Sequence, residues 1–141
     1  MFTLHERLSA DSIHVGEFPL CELRLINDAN YPWLILVPKR SDVREIHQLN
    51  TQDRAQLLNE SCALSEVMEA VFIPVKMNVA ALGNMVPQLH IHHIARFSDD
   101  AAWPNPVWGA VPAQAYDDDT LQKTILLLRR GFDTTNVRCE M

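Results

Sequence analysis

The chain is poor in glycine, with four in 141 residues, and it contains neither a P-loop nor a GxGxxG run. Backbone cradling of phosphates by a glycine-rich loop is therefore excluded. Its three cysteines, Cys21, Cys62 and Cys139, are odd in number and share no short spacing. That excludes a disulfide framework or a zinc knuckle and suits a reducing, cytoplasmic setting. No apolar run approaches the roughly 18 residues of a membrane span. The opening MFTLHERLSADS has no apolar core, so neither a membrane partner nor a secretory signal is expected. Bases are outnumbered, 12 Lys and Arg against 18 Asp and Glu, and they are dispersed along the chain. A net charge of −6 argues against a nucleic-acid polymer as partner. A small phosphate ligand is compatible with it, since histidines and backbone N–H groups can bind one. Ser12, Ser41, Ser61, Ser65 and Ser98 lack a nucleophile-elbow setting. There is no internal repeat, low-complexity tract or Gly/Ser linker.

What is present is a chain that is 48% hydrophobic and long enough for one domain with a sizeable core. Residues 3–10 suit a short amphipathic helix. Leu20–Ile26 alternates polar and apolar residues, and Trp33–Pro38 is a buried apolar run; with the Asn- and Asp-rich turn 27–32 between them they read as an antiparallel hairpin. Thr51 is placed as the N-cap of a long helix to about Phe72, with Asp53 in its first turn. Leu57, Leu64, Met68 and Val71 form its apolar stripe, and Pro74 ends it. Lys76–Leu82 reads as a strand that turns at Gly83-Asn84. After Arg96 comes a segment rich in proline and tryptophan, Trp103–Gly109, where Trp103 and Trp108 either pack in a core or lid a site. A last helix starts near Asp117–Asp119 and stops at Gly131, with Leu121, Ile125 and Leu128 on its apolar side. Strands, a long helix, strands and a final helix give an α+β domain.

The most informative run is Gln88-Leu89-His90-Ile91-His92-His93-Ile94. Its alternation reads as a strand with Gln88, His90 and His92 on one face and Leu89, Ile91 and His93 on the other. Isolated His5, His14 and His47 read as structural, and so does His93 on its apolar face. For His90 and His92 three readings compete: hydrogen-bonded structural residues, two ligands of a metal, or a nucleophilic imidazole with a partner. A metal is disfavoured because no third Cys or Glu ligand lies near and His93 points away. A neutral imidazole whose Nδ1 proton is held by a backbone carbonyl leaves Nε2 free to attack phosphorus.

Val86-Pro87-Gln88-Leu89-His90-Ile91-His92-His93-Ile94-Ala95-Arg96 resembles the His-φ-His-φ-His-φ-φ signature of the histidine triad (HIT) superfamily, φ being apolar. The resemblance extends to Trp33–Lys39, Ser41–Leu57 and Asn78–Asn84 and covers roughly residues 15–100. It implies an antiparallel sheet of about five strands packed with a long helix, here followed by the C-terminal helix. It also implies a HIT-like domain over residues 1–104, with 105–141 as an extension packing on it. The family binds nucleotides, and its middle histidine attacks the α-phosphate to form a nucleotidyl-histidine intermediate. Carried over, the catalytic positions are His90, His92 and Gln88, and the substrate-binding positions are Asn84, Asn78, Asn27 and Asp28. The implied activity is that of a nucleotidyl hydrolase or transferase, of phosphoramidate or dinucleoside polyphosphate type. It needs no cofactor or metal, takes a nucleotide or nucleoside phosphate, and comes from a homodimer. Three positions depart from the pattern: Gln88 stands at the first triad histidine, Trp33 at a fourth histidine found in many relatives, and His93 at an apolar position. Glutamine cannot titrate, so a nucleotide-binding protein with little or no catalysis is the alternative.

Overall fold

The computed structural model describes residues 1–135 and 137–141. Helix α1 (Glu6–Asp11) leads into strands β1 (Ser12–Glu17), β2 (Cys21–Ile26) and β3 (Trp33–Pro38). Helix α2 (Thr51–Phe72), strands β4 (Lys76–Ala80) and β5 (Ile91–Arg96), and helix α3 (Asp118–Phe132) follow. The strands form one antiparallel sheet in the order β1-β2-β3-β5-β4. The expected hairpin is β2-β3, with Leu25 opposite Leu34 and Cys21 opposite Pro38.

Both faces of the sheet are covered, which is why β3 and β5 are buried along their whole length. Leu34, Leu36, Ile91 and Ala95 join α2 and α3 in the main core with Leu57, Leu64, Met68, Leu128 and Phe132. The alternate residues face the other way. Ile35 and Val37 meet Leu8 of α1 and Val86, while Trp33 and Ile94 meet Tyr31, Ala102 and Val107. Period-two side-chain alternation thus sends neighbouring residues of one strand into different cores.

Several sequence expectations shift. The helix expected over 3–10 starts at Glu6, where the His5 Nδ1 accepts the Arg7 backbone N–H. Strand β1 has no counterpart in the sequence reading, since its pattern is interrupted by a register shift between His14 and Gly16. The N-cap of α2 is Asn50, not Thr51: its Oδ1 accepts the Asp53 N–H at 2.8 Å, so Thr51 is the first helical residue. Asp53 stands in the first turn as expected and also pairs with Arg40 at 2.7 Å. Strand β4 ends at Ala80 rather than Leu82.

Helix α3 is capped by Asp117, whose Oδ1 accepts the Thr120 N–H at 2.7 Å. Gly131 does not stop α3; the helix runs on to Phe132. A Cβ at Gly131 would lie 2.6 Å from the Val67 Cγ1, so this glycine serves the close packing of α3 on α2. Glu60 is fully buried on α2 and accepts the Leu20 and Cys21 N–H groups, each at 2.8 Å, tying the helix to the start of β2.

Candidate active site

The histidine run is only partly strand. Strand β5 begins at Ile91, because upstream the Leu89 N–H donates to the Val43 carbonyl instead of joining the ladder. The alternation nonetheless survives. His90 and His92 lie together, ring centroids 4.9 Å apart and nearly perpendicular. His93 is fully buried on the α2 side, where the Ser61 hydroxyl lies 2.7 Å from its Nε2. Its Nδ1 lies 3.1 Å from the Ile91 carbonyl. A carbonyl can only accept, so the His93 Nδ1 carries the proton and Nε2 accepts from Ser61.

The same logic fixes His90. Its Nδ1 lies 2.7 Å from the Gln88 carbonyl oxygen and must donate to it, leaving the lone pair on Nε2. His92 is held the opposite way, since the Trp33 indole Nε1–H donates to its Nδ1 at 2.9 Å. Burial lowers the pKa of all three imidazoles. For His90 the carbonyl bond to Gln88 opposes that effect without reversing it. Burial, aided by repulsion from His90 and His93, takes His92 down to about 3. Burial, opposed by the Ile91 carbonyl, takes His93 to about 4. All three are neutral at physiological pH.

His90 and His92 line a cleft of about 260 Å³ whose other walls include Leu8, Ile26, Trp33, Asn84 and Trp108. One side is apolar and the other is the loop 82–86, where Gly83 adopts φ +72°, the left-handed conformation that glycine takes without penalty. His90 also borders a second, more polar cleft of about 210 Å³ with Arg44 and His47. Trp108 stands 5.1 Å from His92 and 5.7 Å from Trp33, both edge-on. Of the two tryptophans in the proline-rich segment, Trp108 lines the cleft while Trp103 stacks on Arg96.

Arg96 explains how that segment is held. Its guanidinium is buried and donates to Asp100 at 2.8 and 3.1 Å, to the Asn78 Oδ1 at 2.8 Å and to the Asn105 carbonyl at 2.8 Å. Burial disfavours the Asp100 carboxylate, but Arg96 and the Phe97, Ala102 and Trp103 N–H groups outweigh it and hold its pKa at about 2. Nothing in the local sequence around Arg96 signals this network; Asp100 at i+4 is the one hint.

Of the residues singled out from the sequence, His90, His92 and Asn84 come together at the cleft. Gln88 turns away from it: its Oε1 accepts the His5 N–H at 2.8 Å and its Nε2 donates to the Thr3 carbonyl at 2.9 Å. Asn78 faces Arg96. Asn27 and Asp28 accept the backbone N–H groups of Tyr116 and Gln114, at 2.9 and 3.2 Å, and so tether the segment before α3. Among the described residues no three His, Cys, Asp or Glu side chains converge as a metal site.

A five-stranded antiparallel sheet backed by a long helix, with two oppositely oriented imidazoles at the mouth of one strand, defines an α+β protein with an imidazole-based site. The HIT domain pattern matches residues 7–99, and the chain belongs to the HIT family. It is 48% identical to a histidine triad protein from Bradyrhizobium japonicum, whose crystal structure superposes with a TM-score of 0.91 over 92% of this chain and 97% of that one. A histidine triad protein from Marinobacter aquaeolei is 50% identical, with a TM-score of 0.91 over 94% and 97% of the two chains. A hypothetical histidine triad nucleotide-binding protein from Sulfolobus tokodaii, 12% identical, shares the fold at a TM-score of 0.66 over 89% and 87%. No curated protein matches the chain.

Proposed function

We infer that the protein is a nucleotidyl hydrolase or transferase in which His90 attacks the α-phosphate of a bound nucleotide. The observation that carries this reading is the 2.7 Å bond from the His90 Nδ1 to the Gln88 carbonyl, which leaves the Nε2 lone pair free beside the cleft. The Nε2 lone pair forms an N–P bond while the bond from phosphorus to the leaving group breaks. Water or another acceptor then attacks phosphorus, and the N–P electrons return to Nε2. His92 contacts the phosphoryl oxygens, Asn84 and the loop N–H groups hold the phosphate, and the apolar wall of Leu8, Ile26 and Trp108 takes the nucleoside. Nucleotide binding also fits the description of the Sulfolobus relative. Asn27 and Asp28, which tether the segment before α3, and Asn78, which holds Arg96, do not line this cleft.

Turnover of an activated adenylate tests the reading. His90→Ala should lower kcat/KM by on the order of 10³ or more, given that covalent catalysis is lost outright. Undiminished turnover in that variant would sink the assignment.

The engagement of Gln88 by Thr3 and His5 favours the second reading, nucleotide binding without catalysis, because the side chain at the first triad position then contributes nothing to the reacting groups. Thermal protection by nucleotides with no product from any adenylate or guanylate would select it. For the assembly we propose a homodimer through β4, an edge strand with one unpaired side and half-exposed Val79. The unpaired cysteines suit the reducing cytoplasm. No helix among the described residues is long and apolar enough to cross a membrane.

A further inference from the structure

Trp33 departs from the family pattern at a position that touches the chemistry. Indole Nε1–H is a donor only, so the 2.9 Å bond to the His92 Nδ1 requires a lone pair on that nitrogen. In a neutral imidazole the ring proton must then sit on Nε2. Protonating Nδ1 as well would set two N–H groups against each other at 2.9 Å. A histidine at position 33 could reverse the bond and let His92 become an imidazolium; tryptophan cannot. The indole is buried among other aromatic rings. It is 9% exposed and stands edge-on to Tyr31 at 6.3 Å and Trp108 at 5.7 Å. The adjacent His90 has the reverse arrangement, proton on Nδ1 and lone pair on Nε2. Gln88, which cannot titrate, is turned away. Arg7 and Asp11, at the rim of the cleft, pair with each other at 4.0 Å.

We propose that Trp33 is a positioning residue that holds His92 in the Nε2–H form, so that the site is a nucleophile beside a fixed hydrogen-bond donor with no group in the cleft they share set to deliver a proton, and that its substrates are nucleotidyl anhydrides and esters of acidic alcohols rather than nucleotidyl amides. This rests on the reading of His90 as nucleophile. The step balances without an acid. The His90 Nε2 lone pair makes the N–P bond, the P–O bond breaks, and its electron pair departs on oxygen as a phosphate, carboxylate or phenolate anion. Water then adds to phosphorus, the N–P pair returns to Nε2, and one water proton passes to solvent. His92 keeps its Nε2 proton throughout and only donates a hydrogen bond to a non-bridging oxygen. An amine leaving group needs a proton on nitrogen before it departs; His92 has none to spare, Gln88 cannot titrate, and Arg44 and His47 stand in the second cleft that His90 borders rather than in this one.

Two measurements test this. Ring-nitrogen NMR of protein labelled with ¹⁵N-histidine should show His92 with a protonated Nε2 and a bare Nδ1 at neutral pH, and that signature should be lost or mixed in Trp33→Phe. A protonated Nδ1 on His92 in the wild type overturns the lock. The second measurement compares kcat/KM for adenosine 5′-(p-nitrophenyl phosphate) and adenosine 5′-phosphoramidate. The wild type should prefer the ester by about 10²-fold or more, the usual worth of a general acid. Trp33→His should narrow that preference at least about tenfold by gaining on the amide. Trp33→Phe, which keeps an aromatic ring but no N–H, should lose kcat more than KM and retain the preference. Equal turnover of both substrates by the wild type overturns the substrate assignment. No turnover of either, with no label on His90, overturns it together with the nucleophile reading, while the ring-nitrogen signals still judge the lock.

Discussion

At the scale of single residues, the site is a set of proton positions. His90, His92 and His93 are near neighbours in sequence, yet each receives a different hydrogen-bond partner and hence a different tautomer or face. The sequence showed which imidazoles share a face, because strand alternation is local. It did not show which nitrogen carries the proton, because the Gln88 carbonyl and the Trp33 indole are brought in by backbone geometry and by a neighbouring strand. Gln88 illustrates the same limit: its partners, Thr3 and His5, lie more than 80 residues away. The burial of neutral imidazoles has a measurable consequence. Unfolded histidines bind protons below a pH of about 6.5, whereas folded His92 and His93 resist protonation down to about 3 and about 4. Their depressed pKa values leave stability intact above the unfolded value and remove it as pH falls from there toward the folded values. The thermal midpoint should therefore drop as pH falls from about 6.5 toward about 4. His93→Asn should be less stable at neutral pH but show a shallower decline; an unchanged slope would remove His93 from the cause. His90, also shifted downward, should keep the acid limb of kcat/KM below the ordinary histidine range.

Elements were most legible where periodicity ran uninterrupted. The apolar spacing of Leu57, Leu64 and Met68 located α2 because it records one buried face, and the alternation of residues 20–26 located β2 although its polar face is buried too, where Arg24 pairs with Glu22 at 2.6 Å. Strand β1 was not legible: its bulge near Gly16 breaks the alternation. Boundaries were settled by contacts with remote groups. Strand β5 starts late because Leu89 bonds Val43, and the glycine at 131 marks close packing inside α3 rather than its end, because Val67 leaves no space for a side chain. The start of α2 offers a clean discrimination. Asn50→Ala should destabilise the protein by about 1 kcal/mol in urea unfolding, while Thr51→Ala should change little. Equal losses from the two would contradict the Asn50 cap seen at 2.8 Å.

For the molecule as a whole, the sheet divides two tasks. One face carries the core shared with α2 and α3, and the other carries the cleft, closed by α1, loop 82–86 and the segment around Trp108. The buried Arg96–Asp100 pair anchors that last wall at the far end of the histidine strand. None of this division could be assigned from composition, since both faces draw on the same aliphatic residues. Strand β4, one of the two edges of the sheet, is where the proposed second copy would add. Light scattering should give the mass of two chains, and Val79→Glu should weaken association at least about tenfold, which corresponds to 1.4 kcal/mol. A monomeric wild type would contradict that assembly.

The central claim is that His90 becomes covalently nucleotidylated through Nε2. Intact-protein mass spectrometry after rapid quenching with an activated adenylate, followed by peptide mapping, tests it most directly. The expected result is a single added nucleotidyl group on the peptide carrying His90, absent from His90→Ala and chased by water. A modified protein in which the group maps to His92, or persists in His90→Ala, would contradict it.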